Sequence, residues 1–329
     1  MNKTRSKLKG NISLQVIAGI VTIALAGFYF YIDHQADVHA SETMTSFVEE
    51  ARSQGVVLSY SAVDASPIKQ SVEITNFAIT GSEQEPDIQL GHVVMTGFSW
   101  QDLNKQHNKL PAEMNIAITK GELRLKSTML ETSPDLQTVV RILGKTIPFS
   151  TQIAYKLNPE QKQLNLSMTQ AVAENFSFNS QVQLGEMGWL TAIDSEQTQL
   201  PAQAMSEAMN STLNALSITY KNTGLIEKIR ADLSAQTGKT TEQLTDVSIA
   251  QMKQLQTIST EHWGPLFTPL IDEMIKFTSD PKQLTLDINP LQPLSSQDII
   301  LAFLGGESTL ISLIKDANIL LTANQTNES

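Results

Sequence analysis

Asn11 to Ile32 reads NISLQVIAGIVTIALAGFYFYI, 22 residues without a charge. As a helix rising 1.5 Å per residue the segment reaches about 33 Å, enough for a hydrocarbon core of about 30 Å. Lys3, Arg5, Lys7 and Lys9 precede it without an acidic neighbour, and Asp33 and Asp37 follow it. The positive-inside rule then predicts a cytoplasmic tail (1–10), a transmembrane helix (11–32) and a translocated remainder. Phe28, Tyr29, Phe30 and Tyr31 fall at the exit end, where amphipathic rings settle at headgroup level. The rival reading is a secretory signal cut after Ala40, where Val38-His39-Ala40 satisfies the small-residue rule. The apolar run exceeds a signal's usual length and ends eight residues before that cut, which favours the retained anchor.

Composition narrows the function. The chain carries 23 basic and 34 acidic residues, and without its cationic tail it stands near −15. Such a body is repelled by nucleic acid and by anionic headgroups, so nucleic-acid binding is rejected. The absence of cysteine excludes disulfides, thiolate metal sites and cysteine nucleophiles. With the short cationic start, it fits a bacterial inner-membrane protein whose main domain faces the periplasm. Seven Asn-x-Ser/Thr sequons, Asn165 and Asn175 among them, matter only in a cell that glycosylates.

Beyond a polar tether (33–40) the predicted domain runs 41–329. A helix is expected from Ser41 or Glu42 to Gln54, with Phe47, Val48 and Ala51 on its apolar side. Period-two alternation follows: Val56, Leu58, Tyr60 and Ala62; then Val72 and Ile74, shifting to Phe77 and Ile79 across a bulge near Asn76. Ile88 and Leu90 lead a strand toward Val94; Met114, Ile116 and Ile118 form another, and Leu123 and Leu125 a separate one after Lys120-Gly121. Ser133 to Gly144 reads as a helix, with Ser133 its cap, Pro134 its first residue and Gly144 its end. Strands resume over Ile147–Tyr155, Leu164–Met168, Phe176–Leu184 and Leu216–Tyr220, with a short helical stretch around Ala202–Met209. A helix-rich section (222–280) follows. Its stripe of Trp263, Leu266, Phe267, Leu270, Ile271, Met274 and Phe277 is better explained by packing on the sheet than by a membrane-contacting lid. Pro269 kinks that helix or marks its start. Leu284–Ile288 is a strand, Ser295–Leu304 a helix and Asn318–Ala323 a last strand. Roughly ten strands in hairpin order argue an α+β fold with a long antiparallel sheet.

Chemistry is hard to find. Gly144-Lys145-Thr146 and Gly238-Lys239-Thr240 lack the first glycine of a P-loop, Val139 and Leu233 standing there, and read as helix ends. His34, His39, His92, His107 and His262 share no metal-ligand spacing. No Gly-x-Ser-x-Gly turn is present. The acids Glu49-Glu50, Glu83/Glu85/Asp87 and Asp272-Glu273 read as solvated faces. The expectation is no catalytic, cofactor-binding or metal residue, no cofactor, and no enzyme.

The lone apolar start and the segments VVLSYSAV and SVEITNFAIT resemble the openings of YdgA-type and broader AsmA-like bacterial proteins. Ser217–Leu244, Lys282–Phe303 and Leu310–Asn324 resemble the C-terminal part of such proteins. The resemblance implies a curved, elongated sheet whose concave side can be apolar, and a role in envelope integrity or lipid handling. It implies no catalytic residue, and the chain is far shorter than members proposed to bridge two membranes. The expectation is a non-enzymatic, membrane-anchored envelope protein holding a phospholipid in an apolar groove of the sheet. The alternative is an assembly module that binds another envelope protein through the sheet edge.

Overall fold

A computed structural model describes residues 44–325 except 46–47, 50, 53–55, 67, 81–86, 98–110 and 193–201. The alternating segments pair largely with their sequence neighbours, because short connections permit only antiparallel hairpins. The first are β1 (Val57–Ser59), β2 (Ala62–Ser66), β3 (Ser71–Thr80), β4 (Asp87–Thr96), β5 (Glu113–Arg124) and β6 (Thr146–Asn158). Then come β7 (Gln163–Val172), β8 (Phe176–Gly185), β9 (Thr212–Asn222), β10 (Gln283–Ile288), β11 (Leu294–Ser295) and β12 (Ile319–Ala323). All twelve join one sheet in the order β1-β3-β4-β5-β6-β7-β8-β9-β10-β12, with β2 beside β3 and β11 beside β9.

The fold class expected from sequence is corrected. Among the described residues no helix is long and apolar enough to cross a membrane. The predicted anchor Asn11–Ile32, with the tail and tether around it, lies outside the described residues. The longest described helix, Thr241–Trp263, has the length but carries Glu242, Asp246, Lys253 and Glu261 along it. The single-pass description and the inner-membrane placement built on that anchor are not supported by this architecture.

A line of backbone irregularity crosses β3, β4 and β5. Asn76 and Lys120 are left-handed, at φ 51° and 54°, and Gly91 falls opposite both in the register. A Cβ on Gly91 would lie 2.8 Å from that of Lys120, so only glycine fits between them. The line flips which residues face inward: Val72 and Ile74 give way to Phe77 and Ile79, and Ile88 and Leu90 to Val93 and Met95. Val93, not Val94, is therefore inside. The two strands read on either side of Lys120-Gly121 are one strand, β5, because the left-handed residue bends the chain without ending it.

Helices cover the apolar face unevenly. Described helical residues of the 44–52 stretch place Met44 in the core, and α1 (Ser127–Thr132) adds Met129. With α2 (Pro134–Leu143) they close over β3 to β5, where Val72, Ile74, Phe77, Leu90, Val93 and Met95 are 0 to 1% exposed. The Ser133 hydroxyl caps α2 by accepting the Leu136 N–H, and Gly144 ends it at φ 89°. Further on lie α3 (Ala202–Met209), α4 (Leu225–Thr237), α5 (Thr241–Trp263) and α6 (Thr268–Ser279), with Pro269 in the first turn of α6. A 3-10 turn, Met187–Ala192, touches β7, and α6 lies on β10 and β12. Arg141 on α2 donates two hydrogen bonds to the Asp232 carboxylate on α4, at 2.5 and 3.1 Å. That pairing holds Asp232 below the usual carboxylate range and ties the two helix groups together. The C-terminal α7 (Ser296–Leu304) and α8 (Glu307–Asp316) form a hairpin; α8, which begins after Gly305-Gly306, is an additional helix beyond the expected Ser295–Leu304.

Candidate functional site

Two faces of the β5–β9 region carry the features that bear on function. On the apolar face the register aligns side chains across strands: Met114, Tyr155, Leu166, Val182, Leu216 and Ile288 in one row. Ile116, Ile153, Met168, Ser180, Ile218 and Leu286 form the next row. From β6 onward these rows are only half-buried. Ile153, Met168, Val182, Ile218 and Leu286 belong to neither of the buried clusters among the described residues. One cluster lies over β3 to β5; the other is Leu157, Leu164 and Met187 beside the 3-10 turn. Met114 packs against the first cluster and Tyr155 and Leu166 against the second, so the half-buried apolar strip beside them is Ile153, Met168, Val182, Ile218 and Leu286.

Two tyrosines stand on this face. The Tyr155 hydroxyl on β6 and the Tyr220 hydroxyl on β9 are both buried, with no hydrogen-bond partner among the described residues. Buried polar atoms are nearly always partnered, and an orphan costs about 1–3 kcal/mol. Burial pushes both phenols above their ordinary range, and the Glu227 carboxylate adds to the shift at Tyr220, so both remain neutral donors. The Tyr220 ring stacks on Phe176 at 5.8 Å and meets the edge of Phe277 at 6.0 Å. Phe277 and the helix that carries it therefore pack on the sheet, while Trp263, which ends α5, and Met274 are exposed.

The opposite face holds a trough of about 750 Å³ across β5 to β9. Alternation assigns it to the polar side, because its walls are the neighbours of the apolar row. One wall is the row Glu113, Lys156, Asn165, Gln183 and Ala215. The other is Asn115, Ala154, Ser167, Gln181 and Ser217. The backbone of the row from Met114 to Leu216 makes the floor, and Gly97 and Asn289 close the ends. With strands about 4.8 Å apart, five of them give a length of about 19 Å.

The titratable residues singled out from sequence do not converge. His92 pairs with Glu73 across β4 and β3, and His262 lies in the last turn of α5. His34, His39 and His107 lie outside the described residues, as do Glu50, Glu83 and Glu85. Asp87 pairs with Lys126, and Asp272 accepts a hydrogen bond from Gln256. Among the described residues no group of three acids or histidines could hold a metal. Gly144 and Gly238 both end helices, which accounts for the two Gly-Lys-Thr runs. Asn175 is 5% exposed and accepts a hydrogen bond from Lys228 Nζ at 2.8 Å, which leaves its sequon no room for a glycan.

Glu273 has a structural task at the sheet edge. Its carboxylate accepts the Ala323 N–H of β12 at 2.8 Å and pairs with Lys276. The Lys276 hydrogen bond foremost, with the Ala323 amide, holds it below the usual carboxylate range against desolvation. A depressed carboxylate contributes its stability above the unfolded value of about 4.3 and loses it as pH falls through the folded value. Melting temperature followed from pH about 6 to about 3 should fall more steeply for the native chain than for Glu273→Gln. Parallel curves would remove Glu273 as a clamp on β12.

Among the described residues the architecture is a long antiparallel meander with one half sealed and the other half-buried on its apolar side. The chain belongs to a family described as "Uncharacterized protein", whose model matches residues 152–324, the region from β6 to β12. It is also similar to a curated relative from Aquifex aeolicus (strain VF5), likewise described as "Uncharacterized protein". That relative is 21% identical over 304 residues, 89% of this chain and 95% of its own length. The matched family region holds most of the half-covered strip and both orphan tyrosines.

Proposed function

We propose that this is a non-enzymatic lipid-binding protein that lays the acyl chains of a phospholipid along the half-covered apolar strip from β6 to β10. The observation that carries the reading is the unequal covering of one continuous apolar face. A sheet that needed only a core would seal both halves, as it seals β3 to β5. The strip from β6 to β10 crosses five strands, about 19 Å, somewhat more than the roughly 15 Å half-thickness of a bilayer's hydrocarbon core. Each buried methylene contributes about 0.8 kcal/mol, so partial seating of one acyl chain supplies ample affinity. The neutral Tyr155 and Tyr220 hydroxyls are suited to donate to ester carbonyls.

Tyr155→Phe tests this directly. Removing an unpartnered buried hydroxyl should raise the stability of the lipid-free chain by about 1 kcal/mol. The same change should weaken binding of a fluorescent phosphatidylcholine about fivefold, the worth of one hydrogen bond. Opposite signs for stability and affinity are the expected signature; no change in either would show that the hydroxyl has no part in binding.

A second reading, a module that binds a protein partner at the sheet edge, has its own support. β12 is an edge strand of five residues with Leu320 at 55% exposure, and α7 exposes Phe303 and Leu304 at 72% and 80%. Glu273 already occupies one edge amide of β12, which leaves a short site for strand addition.

A further inference from the structure

The polar trough is a second surface, independent of the lipid strip, and its walls restrict what it can hold. We propose that it binds a neutral, linear oligosaccharide lying across strands β5 to β9. The argument begins with charge. Lys156 and Glu113 are the charged residues of its walls, they face each other across β6 and β5, and they pair at 3.4 Å. The trough therefore offers no net charge to a phosphate, a sulfate or a carboxylate. Most of its lining is nevertheless carbon. Because Tyr155, Leu166 and Val182 turn to the opposite face, that carbon is Ala154, Ala215, the backbone and the stems of the longer polar side chains, which suit the C–H faces of sugar rings.

Amides and hydroxyls remain. Among the described residues the side chains of Asn165, Gln181 and Asn289 make no hydrogen bond, and all three line the trough. Asn115 and Gln183, by contrast, are engaged with Gln152 and Gln163. A free side-chain amide offers two donors and an acceptor together, the pairing that sugar hydroxyls present. The small Ser167 and Ser217 keep the middle of the trough open between the longer side chains. Its length of about 19 Å suits several consecutive sugar units.

The test uses the full-length chain with cellohexaose and maltohexaose as probes, read by saturation-transfer NMR and titration calorimetry. The expected result is binding of at least one hexaose. Asn165→Ala and Gln181→Ala should each weaken it about fivefold, as loss of one net hydrogen bond predicts. Ser167→Arg, which places a long side chain in the trough, should abolish the signal. All three positions are exposed, and unchanged melting temperatures would show that the variants fold. No binding of either hexaose at millimolar concentration overturns the proposal, as does binding that survives Ser167→Arg. Preference for a sulfated oligosaccharide or a peptide over both hexaoses overturns it too.

Discussion

Phe77→Ala should destabilise the protein by about 3–5 kcal/mol, the usual cost of removing a fully buried aromatic side chain. Phe77 is 1% exposed and lies among Ile74, Leu90, Val93 and Met95, none of which reaches water. The close-packed neighbours cannot collapse into the space it leaves, so the lost transfer energy and the cavity both count. A loss of that size is a large part of the total stability of an ordinary domain. Met168→Ala, on the half-covered strip, removes a side chain that is already partly wet and should cost much less. Urea denaturation of the two variants checks the contrast. Equal losses would mean that the two halves of the sheet are equally sealed, and the open strip would disappear with that result.

Val182→Asp should abolish phospholipid binding while leaving the protein folded. Val182 sits mid-strip on β8, between Leu166 and Leu216 in the row, and is half-buried. In the lipid-free protein a carboxylate there can reach water. Under an acyl chain it would be desolvated without a partner, at a cost of several kcal/mol. About 3 kcal/mol is already more than a hundredfold in affinity. Val182→Thr, similar in shape and uncharged, should retain most of the binding. If Val182→Asp takes up phospholipid as the native chain does, the acyl chain does not lie on this strip.

The alternation that marks the strands was legible because side chains on a pleated strand point to opposite faces by turns. The helix between Ser133 and Gly144 was legible because a hydroxyl cap, an N-terminal proline and a terminal glycine are local chemistry. Longer-range features were not. Lys120-Gly121 read as a break, although it is a bend that keeps β5 continuous. The helix Glu307–Asp316 was missed because its N-cap is Gly306, with no side chain to signal a start. Apolar alternation also reads alike in a sealed core and an open strip, so Phe77 and Val182 looked equivalent. What separates them is where α1, α2 and the 44–52 stretch come to lie, a tertiary matter. The trough was hidden for the same reason. Asn165 and Gln181 are 16 residues apart in sequence and on neighbouring strands, and only the register of β7 and β8 brings them to one groove. Tyr155 was noted as an apolar strand position; its unpartnered hydroxyl follows from packing that no local pattern encodes.

Native mass spectrometry of the full-length chain, mixed with excess phosphatidylcholine and freed of detergent, tests lipid binding most directly. The expected spectrum shows bound phospholipid at a fixed stoichiometry, retained in Val182→Thr and lost in Val182→Asp. A lipid-free mass for the native chain under the same excess would contradict the account and leave the protein-partner reading of the sheet edge in its place.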